Sequence, residues 1–191
     1  PETDDRAHVI IRELAKKNAR ITPVTLEKKG RLGWDVITGF KAAKGKAIAF
    51  IDGDGQMPSV DIVRLYRVLK SGEFDLVKTF RKTRMDGAYR KFISGWFNLI
   101  FHVLFPGATF RDVNAKPKLM TREAYNKMEL SCDGWFIDGE IMLESMRLDL
   151  NVAEVPTVFH KNEWRGSLVK VWTVFEFLYE LARYRIKYWF K

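Results

Sequence analysis

Residues 46–58 constrain the fold more than any other part of this 191-residue sequence. The apolar run AIAFI (residues 47–51) predicts a buried strand, and it ends abruptly in the acidic, glycine-rich turn DGDGQ (residues 52–56). Carboxylate and amide oxygens are the ligands that Mg²⁺ and Mn²⁺ prefer, and ligands of open α/β sheets bind where strands end. We therefore predict that Asp52, Asp54 and Gln56 bind a divalent cation together with a substrate phosphate. The alternative is a glycine-rich turn with solvated aspartates.

Helices and strands alternate along the sequence. The hydrophobic pattern predicts helices over residues 4–18, 34–43, 59–69 (with Ser59 as N-cap), 92–105 and 138–147, and a short helix that opens at Thr121. It predicts strands over residues 21–26, 46–51, 75–80 and 152–159, and an irregular or strand-like segment over residues 110–120. This order is typical of an α/β fold with a mainly parallel sheet flanked by helices.

The excess of basic over acidic residues, nine charges in all, is concentrated in two segments. Residues 81–127 contain ten basic and three acidic residues, and residues 161–191 contain seven and three. Such segments attract nucleic acids, nucleotide phosphates or an anionic membrane. Since no zinc-finger spacing or RNP-like aromatic motif accompanies them, we expect no nucleic-acid partner.

The last residues form a predicted amphipathic helix or helix pair. Its apolar stripe contains Leu168, Val171, Trp172, Phe175, Leu178, Tyr179, Ala182, Ile186 and Trp189. Packing against the rest of the domain would explain this stripe, whereas the aromatic and cationic residues near the end favour a membrane interface. We predict two parts, a domain over residues 1–160 and membrane-interface helices over residues 161–191. No stretch is long and apolar enough to span a membrane, and the acidic start predicts no signal peptide.

Five motifs occur in a specific order: GRLG at residues 30–33, DGDGQ, an arginine at position 81 followed by RKFIS (residues 90–94), DVNAKPK (residues 112–118), and Glu140 followed by EVP (residues 154–156). With these motifs the sequence resembles glycosyltransferase family 2, which has the GT-A (Rossmann-like) fold. Within that family it looks most like the dolichol-phosphate mannose synthases and polyprenyl-phosphate glycosyltransferases.

The resemblance implies an inverting, metal-dependent transferase. It would move a sugar from GDP-mannose or a UDP-sugar to a dolichyl or polyprenyl phosphate, at the anionic cytoplasmic face of a membrane. The implied donor site contains Asp52, Asp54, Gln56, Asp112 and Lys118, of which the first three hold Mg²⁺ or Mn²⁺. The implied acceptor site contains Arg81, Arg90, Ser94, Lys161 and Arg165, and the implied catalytic residues are Asp54, Arg81 and Asp138.

Two departures from the family pattern stand out. In DVNAKPK, Lys116 and Pro117 replace a usual Gly-Phe pair, and Lys118 replaces an arginine. Family members also begin with two further strands that hold much of the nucleoside site. The sequence starts where the second of these would have ended, so we expect the base pocket to lie outside it.

Three alternatives remain open from the sequence. If the acceptor is a glycan hydroxyl, a base must take its proton, and Asp138 is the candidate, with Glu140 beside it. A catalytically silent membrane adaptor would keep the fold and use its basic helices to bind anionic lipid. A nucleotidyltransferase also places carboxylates at a strand end, but it usually carries a glycine-rich phosphate loop at its first strand.

Overall fold

Four strands form one sheet in the part of the chain that the computed structural model describes, residues 6–162 and 171–189. They are β1 (Ala47–Phe50), β2 (Leu76–Arg84), β3 (Lys118–Thr121) and β4 (Val152–Phe159), in the order β1-β3-β2-β4. Strand β2 pairs with β4 in parallel, whereas β3 is antiparallel to both β1 and β2. Strands β1, β2 and β4 therefore run in the same direction, and their carboxyl ends lie at the same end of the sheet.

This sheet is mixed, which corrects the prediction of a mainly parallel sheet. Three strands share a direction, as predicted, but the insertion of β3 makes two of the three pairings antiparallel. The sequence pattern did not show this because β3 has only four residues, KLMT, of which the first three are buried. Such a short strand has no recognisable alternation of apolar and polar side chains.

Seven helices accompany the sheet in the described residues, and they lie close to their predicted positions. They are α1 (Ala7–Lys17), α2 (Leu32–Ala42), α3 (Val60–Leu69), α4 (Ala88–Leu104), α5 (Arg122–Lys127), α6 (Ile137–Arg147) and α7 (Val171–Trp189). Thr121 caps α5, because its hydroxyl accepts a hydrogen bond from the Ala124 amide at 3.1 Å. Ser59 occupies the N-cap position of α3 but makes no such bond, so the predicted cap is present in position only.

The strand predicted over residues 21–26 is wrong. This segment has no regular secondary structure, and most of its side chains are exposed, including Leu26 at 65%. Pro23 lacks a backbone N–H, and no described strand pairs with the segment. An apolar pattern without a partner strand was therefore misread as part of the sheet.

The GRLG motif brings α2 close to the loop before α6. The Gly33 amide donates to the Gly134 carbonyl at 2.8 Å, and the Arg31 amide donates to the Asp133 carbonyl at 2.7 Å. A Cβ atom on Gly33 would lie 2.0 Å from the Cys132 carbonyl oxygen. Position 33 therefore requires glycine for space.

Aromatic rings pack together in the part of the main core that lies between α4, α6 and α7. Phe97 contacts Phe136 at 6.4 Å between ring centroids, Phe101 contacts Phe105 at 4.9 Å, and Phe136 contacts Tyr184 at 4.8 Å. All five rings are buried. Much of the high aromatic content of the sequence is thus used for packing.

Helix α7 has two apolar faces. The inner face packs against the core through Phe177, Leu181, Tyr184 and Tyr188, and the hydroxyl of Tyr184 donates to Glu140 at 2.7 Å. The outer face exposes members of the predicted apolar stripe, namely Phe175, Leu178, Tyr179 and Ile186, by 40–67%. The predicted stripe is therefore not the face that joins α7 to the domain. No helix of the described residues is long and apolar enough to cross a membrane.

Candidate active site

The acidic turn follows β1 directly, as predicted. The Asp54 carboxylate accepts a hydrogen bond from the Gln56 amide at 3.0 Å, which closes the turn. The side-chain nitrogen of Gln56 donates to the His160 carbonyl at 2.9 Å, and the His160 amide donates back to the Gln56 carbonyl at 2.8 Å. These bonds attach the turn to the end of β4. Gln56, predicted as a metal ligand, thus also has a structural role.

Two lysines and two aspartates form a network that includes Asp52 of this turn, and all of its members except Asp52 are buried. The Lys116 ammonium donates to Asp52 at 3.1 Å and forms an ion pair with Asp138 at 3.0 Å, while Lys118 contacts the other Asp138 oxygen. Burial alone would raise the pKa of Asp138, but the two ammonium groups outweigh it and lower this pKa. Burial lowers the pKa of Lys118 to about 8 although Asp138 opposes this shift. Asp138 is therefore ionised, with a lysine on each carboxylate oxygen.

Arg81, in the carboxyl-terminal half of β2, is held in a fixed orientation. Its Nε donates to one Asp112 oxygen at 2.6 Å, and its Nη2 donates to the other at 2.7 Å and to the Ser94 hydroxyl at 3.0 Å. Burial opposes ionisation of Asp112, but the bonds from Arg81 prevail and lower its pKa to about 2. The structure thus brings Arg81, Asp112 and Ser94 together.

Three guanidinium groups surround one aromatic ring at the end of β4. Arg81, Arg84 and Arg90 lie 5.3, 5.7 and 5.9 Å from the centroid of the Phe159 ring. We call Arg81, Arg84, Arg90 and Ser94 the arginine cluster. Asp86 forms ion pairs with Arg84 at 2.7 Å and Arg90 at 3.5 Å. With Asp86 and Asp112 as counter-ions, the cluster keeps a net positive charge.

The acidic turn and the arginine cluster are joined by two connections. Asp112 binds Arg81, and four residues later Lys116 binds Asp52, so the segment 112–116 contacts both. The Gln56–His160 bonds form the second connection, since His160 follows Phe159 directly. Of the remaining predicted residues, Lys161 is exposed next to His160, and Arg165 lies outside the described residues.

Sequence reasoning missed a buried ion pair beneath the arginine cluster. Lys78, in β2, is completely buried, and its ammonium donates to Glu154 at 2.8 Å and to the Asp112 carbonyl at 2.7 Å. Glu154 also accepts from the Arg111 amide at 3.2 and 3.1 Å. The pair therefore fixes the start of the segment 112–116. A lysine inside the apolar strand LVKTF was the available signal.

Glu140 is structural. Its carboxylate accepts from the Ser131 and Cys132 amides, the Ser131 hydroxyl and the Tyr184 hydroxyl at 2.7–3.1 Å. With four donors on a fully buried carboxylate, Glu140 is committed to holding α7 and the 131–132 loop in place.

The acidic turn offers oxygen ligands that could hold a divalent cation together with substrate oxygens. Among the described residues, no group of three His, Cys, Asp or Glu side chains is arranged to hold a metal by itself. Asp52 and Asp54 each use one carboxylate oxygen in the bonds described above. Among the described residues, the second oxygen of each carboxylate makes no such bond and could bind a cation. Mg²⁺ is commonly held by one or two carboxylates together with substrate phosphates.

Comparison with known proteins identifies the family. Residues 2–130 match the model of glycosyl transferase family 2. The chain is 23% identical over 165 residues to the low-salt glycan biosynthesis hexosyltransferase Agl6 of Haloferax volcanii, covering 82% of this chain and 38% of Agl6. It is 28% identical over 96 residues to the undecaprenyl-phosphate 4-deoxy-4-formamido-L-arabinose transferase of Pseudomonas syringae pv. syringae, covering 50% of this chain and 28% of the relative.

Solved structures show the same fold. Glucosyl-3-phosphoglycerate synthase from Mycobacterium tuberculosis in complex with UDP superposes with a TM-score of 0.68 at 16% identity, covering 96% of this chain and 66% of that one. The complex of this enzyme with Mn²⁺, UDP-glucose and phosphoglyceric acid gives a TM-score of 0.67 at 17% identity, with the same coverage. These likenesses confirm the predicted α/β fold of GT-A type. Because the family model matches well over half of its residues, the chain belongs to glycosyl transferase family 2.

Proposed function

We propose that this chain transfers a sugar from a nucleotide-sugar donor to a dolichyl or polyprenyl phosphate at a membrane surface. The observation that carries the proposal is the placement of the acidic turn and the arginine cluster at the same end of the sheet, joined by the segment 112–116. One site is suited to a metal-bound diphosphate and the other to a second phosphate. The names of the hexosyltransferase and undecaprenyl-phosphate transferase relatives support this assignment.

On the donor side, Asp52 and Asp54 would hold Mg²⁺ or Mn²⁺ through their remaining oxygens, with the Gln56 side chain beside them. Such a cation stabilises the negative charge that develops on a departing nucleoside diphosphate. Two complexes of the mycobacterial synthase, which contain Mn²⁺ with UDP-glucose or with UDP, support a divalent metal and a UDP-sugar donor. GDP-mannose is the second donor to test. In this proposal Lys118 and Asp112 act by positioning Asp138 and Arg81.

On the acceptor side, the arginine cluster would bind the lipid phosphate. Asp112 and Ser94 occupy Nε and Nη2 of Arg81 and fix its orientation, so Nη1 is the group that would donate to a phosphate oxygen. Arg90 is partly exposed, and Lys161 lies exposed close to Phe159, where both can add positive charge. We also assign Arg165 to the binding of the lipid phosphate.

The protonation state of Asp138 favours a phosphate acceptor over a glycan hydroxyl. A hydroxyl needs a general base, but both Asp138 oxygens contact lysines, and its lowered pKa makes it a weak base. A phosphate monoester loses its second proton near pH 6 and is an anionic nucleophile at neutral pH. Catalysis then requires orientation and charge neutralisation, which the two sites supply.

Exposed apolar side chains on α4 and α7 support a membrane surface as partner. On α4 they recur every three or four residues, with 50–72% exposure: Tyr89, Phe92, Trp96, Leu99 and Val103. Helix α7 lies beside α4 through the Phe97–Phe177 ring contact at 5.4 Å, and its outer face is also apolar. Together with the net positive charge of +9, these faces are typical of interfacial helices.

The activity is tested by incubating the protein with Mn²⁺ or Mg²⁺, radiolabelled UDP- and GDP-sugars and a short polyprenyl phosphate. We expect a glycolipid with one donor, and its loss in Asp54→Ala. Arg81→Lys keeps the charge but loses the oriented guanidinium and its Nη1 donor, so the KM for the polyprenyl phosphate should rise at least ~10-fold while the donor KM changes little. Lys82→Met, which removes an exposed charge from the same strand, is the control. A folded protein that forms no glycolipid with any donor would refute the proposal.

Membrane binding is tested separately by sedimentation with anionic liposomes. Leu99→Ser with Val103→Ser should reduce the bound fraction, whereas Val63→Ser, on an exposed apolar position of α3, should not. Liposome binding without any calorimetric signal for nucleotide and metal would instead indicate a catalytically silent adaptor.

A further inference from the structure

We propose that Lys116 is a tethered competitor of the divalent cation at Asp52, so that the acidic turn binds metal well only together with a nucleoside diphosphate. This inference rests on the proposed donor site. It concerns the lysine through which the segment 112–116 contacts the acidic turn.

The contacts of Lys116 place its ammonium where it competes with a metal. It lies 3.1 Å from an Asp52 oxygen and 3.0 Å from an Asp138 oxygen. Its side chain is only 8% exposed, so the ammonium lies between the two carboxylates and not in water. A divalent ion at Asp52 must therefore share that carboxylate with a resident positive charge.

The local charge balance explains why a diphosphate would relieve this competition. Asp52 and Asp138 pair with Lys116 and Lys118, and Asp54 in the same turn adds a carboxylate that pairs with neither lysine among the described contacts, so these five groups carry one net negative charge. A divalent cation alone would reverse that sign in a largely buried site, which is unfavourable. A nucleoside diphosphate brings more negative charge than the cation brings positive charge, and it gives the Lys116 ammonium a new anionic partner.

The same arrangement makes the metal site responsive to the donor. Without nucleotide, the Lys116 ammonium contacts both Asp52 and Asp138 and offsets part of the negative charge at the turn. With nucleotide, cation and ammonium act on the same diphosphate. Binding of metal and of diphosphate should therefore be strongly and reciprocally coupled.

The test measures Mn²⁺ binding by the loss of the free-ion signal in electron paramagnetic resonance, with the full chain and no sugar transfer. In Lys116→Met the Kd for Mn²⁺ alone should fall at least ~10-fold, about 1.4 kcal/mol, and the affinity for UDP in metal-free buffer should decrease. Lys44→Met, which removes an exposed charge before β1, should behave like the wild-type protein. Lys116→Gln, a second neutral variant, is measured in parallel, with circular dichroism to verify folding of both.

A double-mutant cycle identifies the competing carboxylate. Adding Lys116→Met to Asp52→Asn should produce no gain in Mn²⁺ affinity, because the shared ligand is already lost. A gain in Mn²⁺ affinity that persists without Asp52 overturns the inference. It is also overturned if neither folded neutral variant binds Mn²⁺ more tightly than the wild-type protein. In both cases the donor site stands as long as the wild-type protein binds Mn²⁺ with UDP. If the wild-type protein does not bind Mn²⁺ even with UDP or GDP, the proposed donor site itself is refuted.

Discussion

The attachment of α7 to the domain can be tested by removing a single oxygen atom. Tyr184 is 2% exposed, and its hydroxyl donates to the fully buried Glu140 carboxylate at 2.7 Å. Tyr184→Phe deletes this bond and leaves the ring contact with Phe136 in place. The variant therefore isolates one polar contact between α7 and α6.

The magnitude follows from what remains at Glu140. A hydrogen bond to a charged group contributes about 1.5–3 kcal/mol to stability. Because the Ser131 and Cys132 amides and the Ser131 hydroxyl still donate to Glu140, the carboxylate is not orphaned, and we expect the lower end of this range. A loss of about 1.5 kcal/mol corresponds to a Tm lower by about 3–6 °C for a domain of this size.

Urea unfolding followed by tryptophan fluorescence measures the change, and a thermal scan checks the Tm. Tyr179→Phe is the matched control, since this tyrosine lies on the outer face of the same helix and is 67% exposed. It should change the free energy of unfolding by less than about 0.5 kcal/mol. Equal stabilities of the two variants would show that Glu140 does not hold α7 in place and would contradict the assignment of the inner face of α7.

Three further predictions concern stability and use the same unfolding assay. Asp112→Asn should destabilise the protein by about 2 kcal/mol at pH 7, because folding lowers the pKa of Asp112 from 3.8 to about 2. This contribution is complete above about pH 4 and is lost as the pH falls toward 2. A stability difference between wild type and variant that does not narrow at pH 3 contradicts the prediction. Glu154→Gln should cost about 3 kcal/mol or more because it leaves the Lys78 ammonium buried without an anionic partner, and adding Lys78→Met should recover part of the loss; equal stabilities of the single and double variants would contradict this. Gly33→Ala should destabilise by about 1–3 kcal/mol because its Cβ would overlap a carbonyl oxygen of the neighbouring loop, whereas Gly39→Ala, on the same helix with open space, should be neutral or stabilising.

The parts of the fold that could be predicted are those with a local pattern. The apolar run before DGDGQ and the strand Val152–Phe159 were located closely, because continuous apolar residues bounded by turn residues are a local signal. Strand β3 and the false strand over residues 21–26 show the limit. Whether a short extended segment joins a sheet depends on a partner distant in the sequence, and the pattern does not contain this information.

The candidate site was predicted in its residue types but not in its pairings. Motifs in the sequence pointed to Asp52, Arg81 and Asp138. In the structure, all three contact the segment 112–116: Arg81 binds Asp112, and Lys116 binds both aspartates. The sequence did not indicate that Lys116 lies between Asp52 and Asp138, since the two aspartates are 86 positions apart in the chain. Ion pairs of this kind depend on three-dimensional proximity alone.

Helix α4 carries the arginine-cluster member Ser94 and the exposed Trp96 only two positions apart. With a rise of 1.5 Å per residue, the two side chains are offset by about 3 Å along the helix axis. Residues two positions apart also differ by about 200° around the helix axis, so Ser94 and Trp96 project to opposite sides of α4. The body of α4 therefore separates its exposed apolar side from the arginine cluster, and a lipid acceptor embedded on that side would have to pass around the helix to place its head group at Arg81.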